Sequence, residues 1–234
     1  MFFYWGLGTL LVAGFSVILA RRFGIEFIVA AMAGLLIISN ILAVKLVSIF
    51  GYTVPAGVFT FAAIYLLTDM LSERWGRQAA QKAVWTSFYA NLVILFPVII
   101  AVNWQPAFPS DVFESFDSVL VLAPRIVLAS FVAYLISQHH DVLAFDMWKK
   151  ITKGRFLWLR NNASTFVSQF IDSVIFITIA FAGTSGAPPL IEMILAQYFI
   201  KLMIAILDTP LIYMLTYCID RIPFRKVGPN EVQG

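Results

Sequence analysis

The sequence predicts an all-α fold, a polytopic transmembrane helical bundle of about seven spans. Three observations carry that reading. Of 234 residues, 61% are hydrophobic and only 12% charged, with a mean hydropathy of +0.88; soluble domains carry about twice that charged share. The apolar residues run in blocks of about 17–25, the length that crosses a bilayer. The blocks do not alternate as barrel strands would, so helices must satisfy the backbone in lipid.

Span one covers residues 2–20. No basic residue precedes its apolar run, and Arg21 and Arg22 follow it. That order predicts a retained helix with its N-terminus outside rather than a cleaved signal. Spans two and three cover 26–49 and 55–74. Span four, 82–102, contains Pro97, which predicts a kink. Spans five, six and seven cover 119–137, 162–182 and 191–217. Pro210 lies within the last, where it frees a backbone carbonyl at membrane depth.

Charge sets the orientation. Thirteen of the sixteen basic residues fall after span one, between spans three and four, between spans five and six, or after span seven. In an alternating seven-span chain all four places share one side. The loop 103–118 carries Asp111, Glu114 and Asp117 and no lysine or arginine. The positive-inside rule then puts the C-terminus in the cytoplasm and the acidic loop outside, in a multi-pass membrane protein. The net charge of +3 and pI near 9 reflect those inside loops, so no nucleic-acid partner is expected.

Several chemistries are excluded. The single cysteine, Cys218, allows no internal disulfide and no thiolate metal site; it reads as a small helix-packing residue. There is no HExxH and no phosphate-binding G-x-x-x-x-G-K-[ST] loop, so the chain does not hydrolyse ATP by itself. His139 and His140 are adjacent, point apart on a helix, and read as interfacial rather than metal ligands. The sequon "NAS" at Asn162 falls on the cytoplasmic side and is a chance match. No cofactor, metal or enzyme activity is expected.

What remains is polarity where lipid should exclude it. A charge at the bilayer centre costs about 2.5–3.5 kcal/mol on insertion scales, so such residues face the bundle interior. Asp69 and Glu73 lie four apart and share a face with Thr68 and Ser72. Asn162, Thr165, Gln169 and Asp172 form one stripe, and Gln197, Lys201 and Asp208 another. Ser39 and Asn40 fall mid-span in span two, which also holds Lys45; Arg125 opens the outer part of span five. Packing alone does not need so many. The set predicts a shared cavity built from Asn40, Asp69, Arg125, Asn162, Thr165, Gln169, Asp172 and Lys201, with Glu73, Lys45 and Asp208 in coupling or supporting roles. Carboxylates, amides and nearby aromatics (Tyr65, Trp75, Phe170, Phe176, Tyr198, Tyr213) suit a planar, hydrogen-bonding heterocycle better than a lipid or a bare ion.

The stretches "SNILAVK", "FTFAAIYLLTDMLSERWG", "RIVLASFVAYLISQ", "NNASTFVSQFIDS" and "YFIKLMIAILDTPLIY", in that order, resemble the queuosine precursor transporters of the vitamin uptake transporter group. The resemblance covers about residues 36–217. It implies import of the 7-deazaguanine bases preQ0 and preQ1 for tRNA modification, and a six-span core, 26–217, of two inverted three-helix halves. An extra span (1–25) would precede that core and a cytoplasmic tail (218–234) follow it. PreQ1 carries an aminomethyl cation, a natural partner for the carboxylates. Asp208 and Glu73 match no motif of the family, and their roles rest on the physical reading alone. Two rivals stand beside it: a transporter of another vitamin or nucleobase, and a substrate-binding membrane subunit that needs a separate ATPase. Membrane lipid surrounds the chain in every case. Coupling is left open, as is oligomeric state, with a homo-oligomer among the alternatives.

Overall fold

The computed structural model describes residues 2–184 and 187–221. Its elements in chain order are α1 (Phe2–Phe23), α2 (Glu26–Ala43), β1 (Leu46–Ile49), β2 (Tyr52–Pro55), α3 (Val58–Arg74), α4 (Arg77–Asn103), α5 (Asp111–Leu120), α6 (Ala123–Ile151), α7 (Leu157–Phe181) and α8 (Leu190–Arg221). Among the described residues, six stretches of helix are long and apolar enough to cross a membrane: α1, α2, α4, α5 with α6, α7 and α8. The seventh long helix, α3, has 17 residues and is buried from Val58 to Ser72 except at Phe59. It is the axis of the bundle, packed by α1, α2, α4, α6 and α8. The outer helices turn Leu11, Phe15, Phe96, Ile206 and Leu207 outward, as lipid-facing surfaces require.

The structure corrects several boundaries. Span two, expected through residue 49, ends at Ala43. Leu46–Ile49 instead pairs antiparallel with Tyr52–Pro55 in a two-stranded hairpin, Leu46 opposite Pro55 and Ile49 opposite Tyr52. The β-branched run Val47, Ile49, Thr53 and Val54 around Gly51 favours strand over helix. Lys45, expected within span two, is exposed in the turn before β1. The expected loop 103–118 contains α5, whose first turn holds Asp111 and Glu114 and whose N-cap Ser110 accepts from the amide of Val112 at 3.3 Å. Span five, expected to stop at residue 137, runs on to Ile151, and span six starts at Leu157 rather than 162. Helices α4 and α8 continue past Pro97 and Pro210. The tail beyond residue 221 and the side chain of Cys218 lie outside the described residues.

The helices have two common ends. The hairpin, the start of α3, the end of α7 and the start of α8 share one; the turns at residues 24–25, 75–76 and 152–156 share the other. The hairpin leads into α3 so closely over α2 that a Cβ on Gly57 would stand 2.2 Å from the carbonyl oxygen of Ser39. That approach closes the wall of the central cavity.

Candidate functional site

A narrow polar cavity of about 20 Å³ opens between α2, α3, α6, α7 and α8 near the hairpin end. Ser39 and Asn40 come from α2, Gly57 and Phe61 from the start of α3, Ser130 from α6, Asp172 and Phe176 from α7, Gln197 and Lys201 from α8. That is room for about one water molecule, well below the roughly 300–1,000 Å³ of ligand pockets, so the site is closed down in this conformation.

Its polar floor is an ion pair. Lys201 Nζ donates to Asp172 Oδ2, with both side chains 2% exposed. The ammonium also stands 4.9 Å from the centroid of the Phe61 ring, a cation–π contact. Asp172 Oδ1 accepts from Ser137 Oγ at 3.3 Å, and Ser137 accepts from Tyr65 OH at 2.9 Å. On the opposite wall Asn40 Nδ2 donates to Asn91 Oδ1 at 3.0 Å, which fixes the amide of Asn40. Ser130 Oγ is buried without a partner.

A second polar layer lies deeper. Thr165 Oγ1 donates to Asp69 Oδ2 at 3.2 Å, and Thr68 Oγ1 donates to Gln138 Oε1 at 3.0 Å. Asp141 on α6 faces Asp69, beside the hydroxyls of Ser164, Thr165 and Ser168. Gln169 Oε1 and Asp208 Oδ1 are buried without partners.

The opposite end is closed by charge. Glu73 Oε2 meets Arg160 Nη2 at 2.6 Å and Lys149 Nζ at 3.2 Å. Arg160, 1% exposed, also donates to the carbonyls of Gly154 and Arg155, and its guanidinium lies 5.7 Å from the Phe145 ring.

Of the expected site residues, Asn40, Asp172 and Lys201 line the cavity. Asp69, Thr165, Gln169 and Asp208 are buried in the same bundle but do not line it. Asn162 is half-buried nearer the far end and donates to Thr209 Oγ1 and to the carbonyl of Trp158. Arg125 is exposed and caps α7, donating to the carbonyls of Ile179 and Ala182. Glu73 belongs to the charge cluster and Lys45 to the surface turn. Among the named aromatics Phe176 alone lines the cavity; Phe170 and Tyr198 pack edge-on against each other at 5.2 Å.

Sequence reading passed over Asn91, Gln138, Asp141 and Arg160. A signal existed for the α6 pair. Ser130, Ser137, Gln138 and Asp141 recur at helical spacing, but the span was ended at residue 137 by the polar Gln138, His139 and His140. Phe61 was hidden among the 22 phenylalanines.

Residues 55–215 match the family described as "Putative vitamin uptake transporter". Among curated proteins the chain is 33% identical to the "Probable queuosine precursor transporter" of Bacillus subtilis (strain 168), over 75% of this chain and 77% of the relative. It is 30% identical to the "Queuosine precursor transporter" of Escherichia coli (strain K12), over 72% and 75% of the two chains. It is 26% identical to the "Probable queuosine precursor transporter" of Haemophilus influenzae, over 64% and 63%. No solved structure matches the chain significantly.

Proposed function

The chain belongs to the vitamin uptake transporter family, alongside the queuosine precursor transporters, and from that premise we propose that it imports the 7-deazaguanine bases preQ0 and preQ1 across the cell membrane for tRNA modification. Membership and the long apolar helices support a multi-pass membrane transporter, and we read the chain as a carrier and not an enzyme. The hairpin end faces outside, because basic side chains concentrate at the other end. Residues 26–217 act as two three-helix halves with the site between them, an arrangement that transporters favour.

The observation that carries the substrate reading is the Asp172–Lys201 pair on the floor of a narrow cavity that has to widen to admit a base, with Phe61 and Phe176 on its walls. A 7-deazaguanine ring offers a donor edge on one side and a carbonyl beside it. Asp172 takes the N–H edge with both oxygens once it releases Lys201. Lys201 in turn donates to the carbonyl, so neither buried charge is left unpaired. The fixed amide of Asn40 and the side chain of Gln197 read the remaining edge, and the phenyl rings stack on the faces. The aminomethyl cation of preQ1 adds a favourable term near the carboxylate.

Uptake of labelled preQ0 or preQ1 in cells lacking their own route tests this reading. Accumulation above the empty-vector level supports it. No uptake, with the protein present in the membrane, ends it. The family's description, vitamin uptake, favours another small heterocycle as the second reading; thermal stabilisation across a panel of bases and vitamins separates the two.

A further inference from the structure

We propose that Asp69 and Asp141 form a proton-binding pair, and that the proton they share is the coupling ion of transport. The inference rests on the transport function proposed above. It names what drives that transport.

The two carboxyls come from different helices, Asp69 from α3 and Asp141 from α6. Asp69 is 1% exposed and Asp141 is 0% exposed. Their carboxyl groups lie in contact. Thr165 donates to Asp69 Oδ2 at 3.2 Å, while Asp69 Oδ1 and both oxygens of Asp141 lack a hydrogen bond of good geometry. The neighbouring hydroxyls are engaged elsewhere: Ser168 donates to the carbonyl of Ser164, and Ser164 to that of Asn161.

No cation among the described residues serves the pair. Lys201 is held by Asp172 one layer toward the cavity. Arg160 and Lys149 are held by Glu73 one layer toward the far end. The other ionisable groups near the pair are Asp208 from α8, Tyr65 from α3 and, through Ser168, His140 from α6. Two touching buried carboxylates with no countercharge cannot both stay ionised. One proton resolves the geometry. It converts two carboxylates to one carboxyl and one carboxylate, and the new O–H donates across the pair.

The pair also has a path to one side. His140 Nδ1 lies 2.9 Å from Ser168 Oγ, and Ser168 stands beside Asp141. His140 is half-buried. Ser168 can pass a proton from Asp141 to the imidazole once its hydroxyl turns from the Ser164 carbonyl, accepting from one and donating to the other. Toward the cavity, Thr165 ties Asp69 to α7, the helix that carries Asp172. Loading the pair thus changes a contact on the substrate helix.

Two measurements on the purified full chain test this. In proteoliposomes, one proton moved down one pH unit supports about tenfold accumulation, since each unit is about 1.36 kcal/mol. Wild-type protein is expected to concentrate labelled preQ1 about tenfold per unit of inward proton gradient. A protonophore should abolish the accumulation. Asp141→Asn, whose amide supplies the donor the proton would supply, should lose accumulation yet keep counterflow exchange of the same label. Accumulation driven by a sodium gradient, or an Asp141→Asn variant that still follows the pH gradient, overturns the proposal. The second measurement does not depend on substrate. Infrared spectra at neutral pH should show a protonated-carboxyl band in wild type that the double variant Asp69→Asn/Asp141→Asn lacks. Identical spectra overturn the proton site even where transport is intact. If the wild type takes up no label but the band is present, the substrate reading fails and the proton site stands.

Discussion

Lys201 and Asp172, on neighbouring helices α8 and α7, neutralise each other in the floor of the central cavity, both 2% exposed. A buried pair of this kind is weak evidence for stability, because the desolvation of two ions offsets much of their attraction. Its value lies in exchange. Each ion can give up the other only to a ligand that presents the opposite chemistry, an N–H edge for Asp172 and an acceptor for Lys201.

Breaking one side of the pair should therefore damage both fold and transport. Asp172→Asn leaves an unpaired buried ammonium, a cost of about 3–5 kcal/mol, read as a lower unfolding temperature in detergent. Transport should fall far more than for Ile175→Val, a small apolar change on the same helix. The double change Asp172→Asn/Lys201→Met should recover most of the stability and none of the uptake. Recovery of uptake in the double variant would show that the pair is structural only.

Asn40 and Asn91 permit a milder test. Asn40→Ala removes the donor to Asn91 Oδ1, and an unsatisfied buried acceptor costs about 1–3 kcal/mol. Asn91→Ala frees the Asn40 amide without removing it. Both variants should be less stable, but only Asn40→Ala should lose substrate-dependent thermal stabilisation outright. Asn91→Ala should weaken it by about tenfold in apparent affinity, the equivalent of about 1.4 kcal/mol.

Gly57 holds the hairpin against α2. A Cβ there would meet the Ser39 carbonyl oxygen at 2.2 Å, and both groups are backbone-anchored. Gly57→Ala should destabilise by about 1–3 kcal/mol, the usual range for overpacking, and should distort the cavity wall. Gly34→Ala is the control. A Cβ at Gly34 meets nothing within 4 Å, and alanine is the better helix former, so unfolding should shift slightly upward.

How much of this could be read from sequence follows from what periodicity encodes. The long helices were legible because lipid imposes apolar runs of fixed length. Asp172 and Lys201 were legible because a charge inside such a run must face inward. Lys45 and Arg125 failed the same logic because both lie near helix ends, where a long side chain reaches the surface or a helix terminus at little cost. On α7 the buried face proved wider than the stripe from Asn162 to Asp172: it takes in Arg160, Asn161, Ser164 and Ser168, and Asn162 sits at its edge. A single stripe of hydrogen-bonding residues cannot say how many neighbours surround a helix. Asp141 stayed hidden because polar residues at Gln138–His140 mimic the end of a span, whereas here they sit inside a helix that continues to Ile151.

Arg125 gives the sharpest contrast with the cavity residues. It caps α7 through the carbonyls of Ile179 and Ala182 while remaining exposed. Arg125→Gln should leave substrate-dependent stabilisation unchanged and lower the unfolding temperature only slightly. Loss of substrate response in this variant would bring Arg125 into the binding path.

The cluster at the far end makes the last prediction. Arg160 is almost fully buried, yet it joins Glu73 at the end of α3 to the carbonyls of Gly154 and Arg155 before α7. These contacts tie the end of α3 to the start of α7 below the polar core. They act as a closed door on that side while the cavity opens at the hairpin end. Arg160→Gln keeps a donor but loses the charge, and leaves Glu73 to Lys149 alone. A cysteine introduced by Ser164→Cys, with Cys218→Ser removing the only native thiol, reports on the door. In the otherwise native chain the fully buried position 164 should resist a membrane-impermeant thiol reagent added from the far side. With Arg160→Gln it should label readily, because losing one partner of a buried ion pair loosens the contact it held. Equal protection in both would show that hydrophobic packing around Phe145 and Leu157, not the ion pair, keeps that end shut.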